Sequence, residues 1–215
     1  MTGSASRRRV AFDPLAIRRD TAPVPLYDDA LTLRSARRLY FDANGFGEGG
    51  YDAKWVKLKA GPVPIVFPNT PQRVRSVRLH DLHHVVTDYA TDWTGEAEIG
   101  AWEIASNCRD HHAAWVLNLF AFAIGLFLAP GAMWRAFFRG RCSDNLYDQN
   151  FRDSLLDERV GHLRKRLGLD KTPNDVGPAD VFAFLGWSAA GLATLGAGIA
   201  LLVAPLVLLV RLLIG

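Results

Sequence analysis

Cysteine is almost missing from this chain. Cys108 and Cys142 stand far apart and outside any CxxC spacing, which excludes a disulfide framework and a four-sulfur zinc site. Two reduced thiols fit a cytosolic setting. Charge of one sign is also scarce: the net formal charge is +3, drawn largely from an arginine-rich N-terminal arm. No stripe alternates aromatic with basic residues, so nucleic acid is not an expected partner. Nor is export expected. MTGSASRRRVAF carries the arginines of a twin-arginine signal, but the polar DPLAIRRD stands where such a signal needs an apolar stretch. The bulk of the chain is therefore expected on the cytoplasmic side. The glycine-dense NGFGEGGYD has neither the phosphate-loop pattern nor an acid placed for a dinucleotide, and reads as a flexible loop.

Between Val181 and Val210 charge is missing altogether, over thirty residues. As a helix that stretch measures about 45 Å, against about 30 Å for a bilayer's hydrocarbon core. It is expected to cross the membrane once, tilted or kinked at Pro205, with Arg211 near an interface. Ala189, Ala193 and Ala197 form a stripe of small residues suited to close helix contact.

The rest is ordinary in bulk, 49% apolar and 22% charged over 215 residues, enough for one packed domain with an appendage. The expected layout is a flexible basic arm over residues 1–28, a helical domain over 29–170, a turn-rich linker over 171–180 and a membrane-anchoring segment over 181–212. The fold class that follows is mostly α: a helical bundle with a metal site in a helix–turn–helix and a C-terminal transmembrane helix. Within the domain, ALTLRSARRLYFDANG predicts a helix stopped at Gly45. WVKLKAGPVPIVFPNTP predicts an extended segment or short hairpin. A helix starts just after Pro71, TDWTG interrupts it, and a second follows with Thr94 as its N-cap. The run from Trp115 to Trp134 contains Asn118 and breaks at Pro130; a buried or membrane-facing helix of the bundle is expected there. Arg135, Arg139 and Arg141 beside it are either solvated or placed for anionic headgroups. Leu156, Val160, Leu163 and Leu167 fall on one face of a last helix ended by Gly168.

HDLHHVVTDYATDWTGE, from His80 to Glu96, packs three histidines and four acids into seventeen positions. With successive helical side chains about 100° apart, His80, His84 and Asp81 share an arc of about 100°, and His83 falls outside it. Imidazoles at i and i+4 are the spacing by which one helix offers two ligands to one metal ion. Glu96, folding back from the next helix, supplies a carboxylate, and Asp81 either binds or orients an imidazole. A hydrogen-bonded polar cluster between two helices is the plainer alternative. HxxHH is also the box of membrane di-iron enzymes, but six histidines in the whole chain, with only His111 and His112 to start a second box, are too few. A His-Asp phosphohydrolase needs further ligands in later helices.

HDLHH, eleven residues and Glu96 together fit HDxxH-x11-E, and this resembles the zinc-ligand motif of the coenzyme Q biosynthesis protein 4 family. Thr87 and the Gly95–Glu96 pair stand where that family places them. RGRCSDNLYDQNF and LLDERVGHLRKRLGL are similar to its C-terminal part, so the likeness covers roughly residues 30–170. The chain departs from the family pattern in the lead PQRVRSVRL, in Asp88 where glycine is usual, and in the apolar tail. The resemblance implies Zn2+ (or Fe2+) held by His80, Asp81, His84 and Glu96, with His83 either auxiliary or facing solvent. It also implies membrane work on a polyprenylated 4-hydroxybenzoate, C1 decarboxylation coupled to hydroxylation, alongside other quinone-biosynthesis enzymes and with room for a homo-oligomer. Two further readings stay open: a non-catalytic prenyl-lipid scaffold, and a membrane-bound metal-dependent oxygenase or hydrolase of another substrate.

Overall fold

The computed structural model of the protein describes residues 26–60, 63–171 and 176–214. Nearly all of the basic arm and the centre of the linker lie outside them. The described chain is mostly helical, with seven helices and one short hairpin.

Helix α1 (Leu33–Asn44) opens on Thr32, whose side chain accepts the Ser35 N–H, and closes on Gly45 at φ 66°, the left-handed conformation that only glycine adopts freely. Its inward residues Leu33, Ala36 and Tyr40 are buried. Strands β1 (Trp55–Ala60) and β2 (Val63–Pro68) form the expected hairpin, with Trp55 opposite Pro68 and Ala60 opposite Val63. Helix α2 (Pro71–Thr87) starts with Pro71 in its first turn, where a missing N–H costs nothing, behind a Thr70 cap. Helix α3 (Trp93–Ser106) begins earlier than its sequence suggests. Asp92, not Thr94, is the cap, and its carboxylate accepts the Gly95 N–H at 2.8 Å.

The apolar run divides as Pro130 dictates, into α4 (His112–Leu128) and α5 (Pro130–Arg141). Beside it, Arg139 donates to the Thr87 carbonyl at 2.9 Å and Arg141 pairs with Asp180 at 3.0 Å, so both work within the protein. The helix expected across Leu156 to Leu167 is broken in two. A 3-10 turn (Asp153–Asp157) leads into α6 (Val160–Arg166), and the residues between are extended. Backbone pairing explains the break: the Leu33 N–H donates to the Glu158 carbonyl at 2.8 Å and the Val160 N–H to the Leu31 carbonyl at 2.9 Å. The apolar face survives, with all four predicted residues buried.

Two apolar cores result. One gathers α1, α2 and α6 around Leu33, Leu79, Leu82 and Leu163; the other gathers α3, α4 and α5 around Ala101, Phe122, Met133 and Phe137. Each fully buried Leu or Phe contributes about 1.5–3 kcal/mol by leaving water. Helix α7 (Pro178–Ile214), 37 residues, is long and apolar enough to cross a bilayer. Its first half lies on the domain. Trp187 stacks on Trp115 at 5.0 Å, Phe184 meets Phe122 edge-on, and Gly191 approaches the backbone of α4 at the Leu119 carbonyl. Beyond Gly198 its described side chains are exposed.

The end of α2 is fixed from a distance. The Arg164 guanidinium donates to the carbonyls of Val85, Val86 and Tyr27 and pairs with Asp88 at 2.8 Å. Asp88, the C-cap, sits at φ 61°, where glycine would be free of strain. The Arg164 pair and the Leu26 N–H, 3.1 Å from the same Asp88 carboxylate, hold it there.

Candidate metal centre

Helices α2 and α3, joined across residues 88–92, bring His80, His84 and Glu96 together, so that their ligand atoms all lie within 4.8 Å of one another. The two Nε2 atoms face each other at 3.2 Å. Glu96 Oε2 stands 3.6 Å from His80 Nε2 and Oε1 stands 3.5 Å from His84 Nε2. Those carboxylate distances are too long for good hydrogen bonds. Each, to its own Glu96 oxygen, is close to the edge of a ligand tetrahedron, which for zinc–nitrogen and zinc–oxygen bonds of about 2.0–2.2 Å comes to about 3.3–3.6 Å.

The far sides of the rings settle what these nitrogens carry. His84 Nδ1 lies 2.9 Å from the Tyr89 carbonyl, which can only accept, so Nδ1 bears the proton. His80 Nδ1 lies 2.8 Å from Glu103 Oε1, and it too donates. In neutral imidazoles both Nε2 lone pairs then point into the same small space beside a carboxylate. Such convergence is repulsive unless a cation stands between. Without a metal, a proton is the available one. Burial disfavours a charged His80, but the Glu103 and Glu96 carboxylates outweigh it and hold the imidazole well above its usual range. Burial likewise opposes ionisation of Glu96, and the two imidazoles overcome it, bringing the carboxyl down to about 2.

Behind the rings lies a buried polar network anchored on Glu103, which is wholly shielded from solvent. Its Oε1 accepts from His80 and from His83 Nδ1 at 2.6 Å; its Oε2 accepts from Asn118 at 2.5 Å and from the Tyr147 hydroxyl at 2.8 Å. Against the cost of burial, His80 and then His83 keep the carboxyl well below the ordinary range. A carboxylate behind a histidine fixes both its tautomer and its direction.

Of the residues singled out in the sequence, His80, His84 and Glu96 converge. Asp81 stands outside that group: it is buried and accepts from the Tyr51 hydroxyl at 2.5 Å. Its place one step round the helix turns it toward the segment leading into β1. His83 does not face solvent. It is fully buried, with Nδ1 on Glu103 and Nε2 accepting the Leu146 N–H at 3.0 Å, so no ring nitrogen is left for an ion. Glu103, Asn118, Tyr147 and Tyr51 escaped the sequence reading. The signal for Glu103 was there: it follows Glu96 by seven residues, two helical turns, and is therefore an acid on the same face.

On the outer side the site is partly open at Glu96 and His80, while His84 is buried. The Glu96 side chain is 39% exposed and that of His80 18%. Tyr40 stacks on His84 with ring centres 5.4 Å apart, and Phe46, at the surface, meets Tyr40 at 5.6 Å. A line of aromatic rings thus runs from solvent to the site.

No protein-family model, no curated protein and no solved structure matches this chain.

Proposed function

We propose that this chain is a membrane-attached, metal-dependent enzyme of ubiquinone biosynthesis that removes the C1 carboxylate of a polyprenylated 4-hydroxybenzoate. The observation that carries the reading is the convergence of two imidazole lone pairs and one carboxylate, spaced HDxxH-x11-E. His80, His84 and Glu96 fit a divalent ion, Zn2+ by the nitrogen-rich donor set, and as three ligands they leave a fourth coordination position for substrate. Bound there, the ion would supply a Lewis acid for an aromatic acid's oxygens and stabilise charge as the C1–carboxylate bond breaks, carbon dioxide leaves and a proton takes its place on C1.

The protein's own groups do the rest. Glu103 and the Tyr89 carbonyl aim the two imidazoles. Tyr40, stacked on His84 and covered by Phe46, puts aromatic surface on that side of the site and shields it from water. Asp81, held by Tyr51, keeps a second carboxylate close to the imidazoles. Helix α7, long and apolar enough to cross a bilayer, supports attachment to a membrane, where an insoluble prenyl lipid is found; in this reading the membrane is the cytoplasmic one and the domain faces the cytoplasm.

The test is lipid extraction from a strain lacking the gene and complemented with the wild type or His84→Ala. Mass spectrometry of the variant strain should find the carboxylated prenyl benzoate accumulating and quinone lost. Normal quinone with folded His84→Ala protein would overturn the enzymatic reading and leave a scaffold whose metal is structural.

A further inference from the structure

An open depression whose lining includes neither imidazole lies between the segment leading into β1, the start of α2 and the loop at Asn150–Phe151. It measures about 530 Å³ and is lined by Tyr51, Lys54, Val74, Arg78, Asn150 and Phe151, among others. Its volume is in the range of small-molecule sites and far exceeds a bare inorganic ion. The walls combine two properties. Apolar and aromatic surface comes from Val74, Tyr51 and Phe151, and positive charge comes from Lys54, Arg75 and Arg78 against one lining acid, Asp52.

Arg78 stands out among the cations. Arg75 is already paired with Asp110 at 2.9 Å. The Arg78 guanidinium instead lies between two rings, 5.1 Å from the centre of Tyr51 and 5.4 Å from that of Phe151. Its Nε is shielded from water and has no partner among the described residues. That Nε is closed to a ligand as it is to water, so the guanidinium would meet an anion through its two Nη groups. Phe151 also carries Arg37 at 5.8 Å, so positive charge reaches the cavity from α1 as well.

We propose that this cavity binds a small organic anion, a carboxylate or phosphate on an aromatic or apolar body, with Arg78 and Lys54 holding the anionic group. A guanidinium fork matches either oxyanion in bidentate fashion. The anion's body lies along Phe151 and Val74. This site does not depend on the metal centre.

The experiment titrates benzoate, phenyl phosphate, neutral benzamide and inorganic phosphate into the full chain in detergent micelles, by calorimetry, with and without EDTA. Benzoate or phenyl phosphate should bind with a Kd of about 1 mM or below, and EDTA should change nothing. Arg78→Gln should weaken binding about 10-fold or more, and Arg78→Lys should recover only part of it. Lys54→Met, at an exposed position, keeps the test decisive if Arg78→Gln does not fold. The proposal is overturned if neither anion binds, if benzamide binds equally well, if inorganic phosphate matches phenyl phosphate, or if both charge-removing variants leave affinity unchanged. It is also overturned if EDTA abolishes binding, which would place the anion at the metal centre and leave that reading standing.

Discussion

His80 and His83, three residues apart on α2, both direct Nδ1 at the same oxygen of Glu103, at 2.8 and 2.6 Å. One carboxylate therefore sets a ring of the open site and a ring of the closed core. Glu103→Ala should strand four buried donors and cost about 3–5 kcal/mol of stability, as breaking buried charged networks does. Glu103→Gln keeps the volume but forces one contact to face donor against donor. It should remain folded and weaken zinc binding about 10–100-fold. Denaturant melts and zinc competition assays measure the two effects. Unchanged affinity in Glu103→Gln would show that His80 needs no support from behind.

Acid should act on stability and on metal affinity in ways whose signs can be worked out. Glu103 and Glu96 both have folded pKa values below the unfolded ones. Their contribution is complete above the unfolded carboxylate value of about 4.3 and is lost as pH falls toward the folded values. For Glu96 that loss extends to about 2. His80 is the reverse case, its folded pKa raised. In the metal-free protein its contribution is complete below about 6.5 and is lost as pH rises through the folded value. Since zinc needs the neutral ring, apparent affinity should increase with pH until the raised folded value of His80 is passed, with proton release. Calorimetry in buffers of different ionisation enthalpy reads that release, and a pH-independent affinity would contradict the arrangement.

Gly95 precedes Glu96, the proposed carboxylate ligand, and its backbone is pressed against the loop that returns the chain from α2. A Cβ there would come 2.2 Å from the Ala90 carbonyl oxygen, so backbone must move. Gly95→Ala should lower the melting temperature and reduce zinc content together. Wild-type zinc content in a stable Gly95→Ala protein would mean that Glu96 tolerates displacement.

Helix α7 should divide functionally near Gly198. A chain ending at residue 198 keeps the Trp187 stack and the Gly191 contact; it should fold, and should leave the membrane fraction on gentle extraction. A chain ending at residue 177 uncovers Trp115 and the Phe122–Phe137 core, and should aggregate. Fractionation and light scattering of the two truncations distinguish these outcomes.

Helix positions were legible wherever local chemistry decides them: Gly45, Pro71, Pro130 and Gly168 each mark an observed boundary. Long-range contacts were not. Nothing local in ERVGHL announces that residues 158–160 pair with residues 31–33 and break a helix. The i, i+4 spacing and the eleven-residue gap led to His80, His84 and Glu96. Helical angle alone could not tell Asp81 from a ligand, because the hydroxyl that claims it comes from Tyr51, thirty residues away. His83 looked like a surface residue for the same reason: its partners are on α3 and at Leu146.

Arg164 lies 78 residues beyond Val86, whose carbonyl it secures. During synthesis the last turn of α2, with His84 in it, must wait for nearly the whole domain to be made before it is tied down. An ion at the proposed site would thus be loaded last, and a chain interrupted before α6 would carry His84 on an untied turn.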